Sequence, residues 1–299
     1  MNEPKVSLKD IPSLVKESFK EWMDDEPFDL SAIVAYYSIF SLPALLIIII
    51  TIAGAAFGQE AVQGKIAEQI GSMMGKEAGT AIQTMIAEAS KKQNSTIATI
   101  IGIATLLFGA TGVFSALQKS LNKIWEVKPD PKKGGIKKLI LDRSASFGLI
   151  IVIGFLLLIS LVLTSLLAIL SEWIQSKLPD FLLYIFYVLN FAVTFGIIML
   201  VFAMIYKILP DAKIKWKSVW IGASVTAFLF VLGKFALGFY FSKADPGSAY
   251  GAAGSVILIL LWVSYSCLIL FFGAEFTQVY ARKFIHDIEP SDHAIRSED

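Results

Sequence analysis

Long, uninterrupted apolar runs dominate the hydropathy pattern of this chain. The hydrocarbon core of a bilayer is about 30 Å thick, so a helix needs about 20 mostly apolar residues to cross it. Six segments meet this requirement, and none alternates apolar and polar residues as a barrel strand does. The pattern predicts an all-α, polytopic membrane protein with six transmembrane helices. They cover residues 31–57, 96–118, 145–170, 181–208, 219–241 and 255–280.

The composition excludes an ordinary soluble enzyme. The 299 residues are 56% hydrophobic and 17% charged, whereas a soluble domain is about 45–50% apolar and about 25% charged. A net charge of +1 gives no reason to expect a nucleic-acid partner. The single cysteine, Cys267, lies within an apolar run, so we expect neither a disulfide framework nor a thiolate metal site. No metal and no cofactor are predicted.

The distribution of basic residues predicts the orientation in the membrane. Nineteen of the 26 lysines and arginines lie in the two termini and in the loops after the second and fourth spans, and six lie on the opposite side. Basic residues accumulate on the cytoplasmic side, so we expect both termini there. The expected organisation is a cytoplasmic segment at 1–29, a membrane domain at 30–280 with a basic cytoplasmic loop at 119–144, and a cytoplasmic tail at 281–299. No cleavable signal peptide is expected.

Two segments outside the spans are predicted to form amphipathic helices. In the N-terminal segment, apolar residues recur every three to four positions from Leu8 to Trp22. This helix is expected to lie either on the inner membrane surface or against the cytoplasmic loops. The external insert, 58–95, carries one apolar stripe starting at Val62 and another at Ile82 and Ile86. It is expected to cap the bundle, with a lid over a cavity as the alternative.

Glu275 is the first candidate for a functional site, because ionisable groups within a span are costly. It lies about six residues, or about 9 Å, from the inner end of the last span. Tyr36, Tyr37 and Tyr206 approach the same level. We expect Glu275 to face the bundle interior and to accept a hydrogen bond from a tyrosine. Its role is either a structural link between helices or a proton-relay or headgroup-binding site.

Lys234 is the second candidate, about 12 Å from the outer end of the fifth span. Asn190 on the fourth span has nearly the same depth, so a second polar layer is expected below the outer surface. The alternative is that the long Lys234 side chain extends to the outer headgroups. Glu275 and Lys234 differ in depth by about 10 Å, so no direct salt bridge between them is predicted.

Proline and glycine predict local features of the backbone. Pro43 lies within the first span, where a kink is expected, and Pro210 is expected to end the fourth span. Tyr250, Gly251 and Gly254 belong to a stretch of small residues and turn formers before the last span. This stretch is interpreted as a tight external turn, with a re-entrant binding loop as the alternative.

A series of local motifs resembles the YihY/BrkB family of bacterial inner-membrane proteins, also labelled UPF0761. The motifs are AYYSIFSLP at 35–43, LNKIW at 121–125, YKILPD at 206–211, SAYGAAG at 248–254, Trp262 and GAE at 273–275. The resemblance implies a six-helix bundle in the inner membrane with cytoplasmic termini. It also implies a link to lipid movement, which has been proposed for some members, whereas an older ribonuclease label is regarded as an error.

These observations favour a transporter of lipid or another amphiphile, with membrane lipids as its partners. The alternative is a non-catalytic scaffold that recruits other envelope proteins. An enzyme is not expected, because HExxH, Walker, GxSxG and CxxC motifs do not occur in the sequence. The pair His286 and Asp287 alone could not assemble a metal-dependent nuclease. The oligomeric state is not predicted.

Overall fold

The computed structural model describes residues 8–74, 79–80, 82–84, 86–87, 96–132, 181–244, 253–285 and 288–297. These residues are almost entirely helical. The long helices are α1 (Ile11–Asp24), α2 (Pro27–Phe57), α3 (Gln59–Met74), α4 (Thr96–Ile124), α5 (Phe181–Ile208), α6 (Trp216–Ala244) and α7 (Gly254–Phe284). The strands are β1 (Val127–Pro129), β2 (Ala212–Lys213), β3 (Glu289–Pro290) and β4 (Ala294–Arg296). The predicted third span, Tyr250, Gly251, His286 and Asp287 lie outside the described residues.

The five helices α2, α4, α5, α6 and α7 coincide with five of the predicted spans. Among the described residues, three segments are long and apolar enough to cross a membrane: Val188–Ile208, Trp216–Phe241 and Val256–Phe284. Large apolar side chains on α5 and α6 point outward, including Val188 and Phe235, each 68% exposed. Such surfaces suit a lipid environment. That the chain crosses the membrane six times remains a prediction.

A close helix contact joins α6 to α7 through two reciprocal glycine–threonine pairs. A Cβ on Gly222 would lie 1.7 Å from Oγ1 of Thr277, and a Cβ on Gly273 would lie 1.8 Å from Oγ1 of Thr226. Each threonine hydroxyl donates to the backbone carbonyl four residues earlier in its own helix, at 2.7 Å. Helices in membranes associate through small residues of this kind, which let the backbones approach closely.

A buried tyrosine adds α5 to this contact. The Tyr206 hydroxyl donates to the backbone carbonyl of Leu270 on α7 at 2.8 Å and lies 2.8 Å from Oγ1 of Thr226 on α6. Further along α6, Gly233 makes room for the Tyr265 hydroxyl, which would lie 1.2 Å from a Cβ at that position. The three helices α5, α6 and α7 therefore form one tightly joined unit.

The insert packs over one end of the bundle, which we call the insert end. Val62 of α3 is buried together with Ile82 and Ile86, against Leu46 of α2 and Phe241 of α6. Both predicted apolar stripes therefore face the helix ends, as a cap requires. The membrane side on which this end lies remains a prediction.

Hydrogen bonds between distant segments close the opposite end, which we call the terminal end. Strand β1 pairs antiparallel with β4, and β2 pairs antiparallel with β3. The Asn122 side-chain amide donates to Oδ2 of Asp211 at 2.9 Å, and the Asp211 backbone N–H donates to Oδ1 of Asn122 at 2.8 Å. The all-α expectation did not include these strands, because two or three residues are too short to show a strand period.

The N-terminal helix α1 docks against the end of α7. Leu14 is buried among Phe276, Val279 and Tyr280, and Arg282 forms ion pairs with Glu17 at 3.1 Å and Glu21 at 2.5 Å. Lys283 also pairs with Glu17. A second apolar row, consisting of Ile11, Val15, Phe19 and Met23, remains exposed. The helix is therefore docked on a membrane helix, and its outer row is free to contact the bilayer surface.

Replacing Gly273 by alanine is expected to destabilise the protein, because the added Cβ would overlap with Thr226 and Tyr206. Overpacking of this kind costs about 1–3 kcal/mol. The matched control is Gly196→Ala in α5, where a Cβ meets no atom within 4 Å. Since alanine is the better helix former, Gly196→Ala should hold or raise the melting temperature in detergent. Equal melting temperatures of the two variants would contradict the close contact.

Candidate functional site around Glu275

Glu275 is buried within the bundle near the terminal end of α7. It is only 1% exposed, which agrees with the expected inward orientation. Its carboxyl group lies in the electrostatic field of other acids, first Asp25 and then Glu21 and Glu126. Among the described residues, its Oε2 atom has no hydrogen-bond partner. A buried carboxyl group without donors is costly to maintain, so this arrangement is not explained by stability.

Two left-handed residues bring the acids of the site toward Glu275. Glu26, between α1 and α2, has φ +55°, and Glu126, immediately after α4, has φ +51°. Only a small fraction of non-glycine residues adopt this conformation. Lys123 connects the two turns, because its ammonium group donates to the Asp25 backbone carbonyl at 2.9 Å and lies 3.8 Å from Oδ1 of Asp25.

Two tryptophans next to these turns carry buried indole N–H groups. Nε1 of Trp22 and Nε1 of Trp125 have no hydrogen-bond partner within the described part of the chain. The Trp22 ring packs edge-on against Phe272, one turn before Glu275, with 5.9 Å between ring centroids. Trp125 directly precedes Glu126 and packs against Tyr206 at 5.9 Å. Unmatched buried donors and acceptors are rare in native proteins, and each calls for a specific explanation.

The described residues of this site can support binding. The described residues contain no group of three or more His, Cys, Asp or Glu side chains arranged to hold a metal ion. A buried carboxyl group in the field of other acids can hold a proton or an organic ammonium group. Nothing in the described part of the site supplies a nucleophile next to a base.

The expected hydrogen bond between Glu275 and a tyrosine is wrong for all three candidate tyrosines. The Tyr206 hydroxyl is used by Leu270 and Thr226. Tyr36 is 57% exposed, and Tyr37 packs against Phe108 at 6.1 Å; neither hydroxyl bonds to Glu275 in the described structure. The reason is helical geometry: α2 buries Val34, Ala35 and Ser38, so the position of Tyr36 faces outward.

The second predicted polar level is separate from the first. Lys234 and Asn190 are both half-buried, and Oδ1 of Asn190 has no partner among the described residues. Lys234 is next to Gly233, which contacts Tyr265. Tyr265 precedes Glu275 by ten residues, or about 15 Å along α7. The two charged groups therefore lie on different levels of the bundle, in agreement with the expected lack of a salt bridge.

The structure places three of the proline and glycine candidates within or next to helices. Pro210 is buried directly beyond α5, which ends at Ile208, so this helix stops where the proline predicts. Pro43 lies within α2, which continues without a break to Phe57. Gly254 is the buried first residue of α7. None of these three is among the residues that face Glu275.

Several residues of this region were not identified from the sequence. Trp22 lies in the last turn of α1, and Asp25 and Glu126 directly follow helices. Neither hydropathy nor spacing connects these three residues to Glu275. Asn122 and Asp211, which hold the surrounding loops together, are 89 residues apart. They fall within the LNKIW and YKILPD motifs, but the motifs alone did not indicate that they pair.

Comparison with known proteins identifies a family and individual proteins that are similar to this chain. The family described as Virulence factor BrkB matches residues 18–296. A UPF0761 membrane protein of Alteromonas mediterranea is 27% identical over 88% of this chain and 85% of its own length. The Putative ribonuclease-like protein YfkH of Bacillus subtilis is 24% identical over 93% of this chain and 99% of its own length. No solved structure matches.

Docking of α1, which carries Glu21, is expected to weaken at low pH. The hydrogen bond from Lys283 lowers the pKa of Glu17 below its usual value of 4.5. Because folding lowers this pKa, the stabilisation is complete above about pH 4.5 and is lost as the pH falls through the lower value of the folded state. Glu17→Gln should lower the melting temperature at neutral pH and flatten its decrease between about pH 5 and pH 3.

The matched control for Glu17 is Glu60→Gln, which changes an exposed residue of α3 without an ion pair to a described residue. This variant should keep the pH profile of the unmodified chain. If Glu17→Gln and Glu60→Gln have the same profile, the ion pairs of Glu17 do not contribute to docking.

Proposed function

Because the chain belongs to the Virulence factor BrkB family, whose relatives are named as membrane proteins, we propose that it transports a lipid or another amphiphile. The molecule moves along a polar route through the helix bundle, in the bacterial inner membrane. The route includes the level of Glu275 and the level of Lys234 and Asn190. The transported molecule, together with the surrounding membrane lipids, is the main partner.

The single observation that carries this proposal is the burial of the Glu275 carboxyl group, whose Oε2 atom has no hydrogen-bond partner among the described residues. A structural carboxyl group would be matched by donors, but the groups that influence Glu275 most are acids. Ionisable residues inside a membrane helix bundle generally mark pathways for protons, ions or substrates. Here the group is suited to bind a proton or the positive part of an amphiphile during a transport cycle.

The outer surface of the bundle supports an amphiphilic substrate. Phe191 on α5 and Phe239 on α6 are exposed alongside Val188 and Phe235, so acyl chains can cover this face while a headgroup enters the bundle. No catalytic step is part of the proposal. The ribonuclease-like name belongs to the Bacillus relative.

The proposed arrangement has six membrane crossings with both termini in the cytoplasm. It is supported by the basic residues, which are concentrated in the termini and in the loops at the terminal end. In this arrangement the Glu275 site opens toward the cytoplasmic leaflet and the insert end faces outward.

Glu275→Gln is expected to slow lipid movement, because glutamine keeps the shape but cannot hold a proton or a counter-charge. The assay uses vesicles of phosphatidylethanolamine and phosphatidylglycerol that contain the protein and a fluorescent phosphatidylethanolamine. Chemical quenching of the outer leaflet reports the exchange rate. A decrease of at least about fivefold is expected for Glu275→Gln, and a decrease for Lys234→Met.

Ser266→Ala is the matched control, because the Ser266 hydroxyl on α7 is already satisfied by the Trp262 carbonyl at 2.8 Å. Its rate should stay within about twofold of the unmodified protein. Full exchange rates in both Glu275→Gln and Lys234→Met, at normal protein yield, would refute the proposed route.

The orientation is tested in right-side-out membrane vesicles with cysteines that are introduced one at a time. A membrane-impermeant maleimide should label Glu60→Cys in α3 directly, but Lys128→Cys in β1 only after the vesicles are opened. The native Cys267 is buried and serves as the background control. The reverse labelling pattern would exclude cytoplasmic termini.

A further inference from the structure

A cavity of about 470 Å³ lies at the terminal end, between the start of α6 and the segment that follows α7. Its walls contain three lysines: Lys207, Lys213 and Lys215. Glu275 is not among the lining residues, so this cavity is separate from the site described above. Its volume is within the range of small-molecule pockets.

The floor of the cavity is the amino terminus of a long membrane helix. Since α6 begins at Trp216, the backbone N–H groups of its first turn have no acceptor within the helix. Ser218 lies in this turn, lines the cavity and is 1% exposed. Its hydroxyl has no hydrogen-bond partner among the described residues. A helix amino terminus next to an unmatched buried hydroxyl group is suited to bind an anion.

The described lining residues of the cavity include three lysines and one carboxylate, Glu289. Of these lysines, Lys213 pairs with Asp292 at 2.5 Å. The Lys207 ammonium group is held in place by the Ile214 backbone carbonyl and lies 5.7 Å from the centre of the Trp216 ring. Lys207 therefore presents a fixed positive group next to the helix amino terminus.

The surroundings of the cavity indicate that the anion comes from the membrane. Trp216 and Trp220 stack at 6.0 Å and are 46% and 38% exposed, at the point where the apolar segment of α6 begins. Tryptophans in this position are typical of the boundary between hydrocarbon and water. Basic pockets between membrane helices at this level bind anionic headgroups.

We propose that this cavity binds the phosphate of an anionic phospholipid headgroup, through Lys207, Lys215, Ser218 and the first-turn N–H groups of α6. The acyl chains then lie along the exposed apolar side of α6. This binding does not depend on transport through the Glu275 level, and it holds the terminal end at the membrane surface.

The test measures the affinity of the full chain, purified in a neutral detergent, for short-chain phosphatidylglycerol, short-chain phosphatidylcholine and inorganic phosphate. Phosphatidylglycerol should bind at least about fivefold more tightly than either of the others, and more weakly as salt rises. The double variant Lys215→Gln with Ser218→Ala should weaken phosphatidylglycerol binding about tenfold. This variant leaves Lys207 in place, because that residue also holds the loop.

Lys119→Gln is the matched control, since it removes one exposed lysine at the end of α4, outside the cavity. Its affinity and melting temperature should stay unchanged, and the double variant should also keep its melting temperature. Glu275→Gln should bind phosphatidylglycerol normally, which separates this site from the transport proposal.

Two results would overturn the assignment. In the first, the double variant binds phosphatidylglycerol as tightly as the unmodified chain. In the second, inorganic phosphate binds as tightly as the lipid, which would identify a site for free phosphate instead of a headgroup.

Discussion

The close contact between α6 and α7 is the interaction on which the rest of the structure depends. In a bilayer, helices gain little from burying apolar side chains, because lipid tails are equally apolar. Association must therefore come from close packing and hydrogen bonds. Gly222 and Gly273 provide the space, Thr277 and Thr226 fill it, and the Tyr206 hydroxyl adds α5. This contact sets the rotation of α7 and thereby the inward direction of Glu275.

The end of α7 separates two regions of opposite charge. On one side, α1 packs against Phe276, Val279 and Tyr280, and the acids Glu21, Asp25 and Glu126 act on Glu275. On another side, Ala281 and Ile285 line the cavity with its three lysines. The strand pairs and the Asn122–Asp211 hydrogen bonds hold the loops of both regions. The two proposed sites, one acidic and one basic, therefore lie at the same end of the bundle on different sides of α7.

Individual residues show how far sequence reasoning reached. Pro210 correctly marked the end of α5, because the missing N–H and the fixed φ of proline act locally. The inward position of Glu275 followed from the cost of exposing a carboxyl group to lipid. The tyrosine partner was wrong, because equal depth in the membrane does not mean that two side chains share a face. Tyr36 lies at the expected level but faces outward.

The sequence by itself determined that this is a helical membrane protein and located helices α2, α4, α5, α6 and α7. Those properties depend on the length and polarity of single segments relative to the bilayer. The tertiary structure decided which face of each helix turns inward, which acids face Glu275 and which lysines line the cavity. These helices are apolar on nearly all sides, so no amphipathic pattern indicates an inward face. Only the fit of small residues and hydrogen bonds between helices selects one.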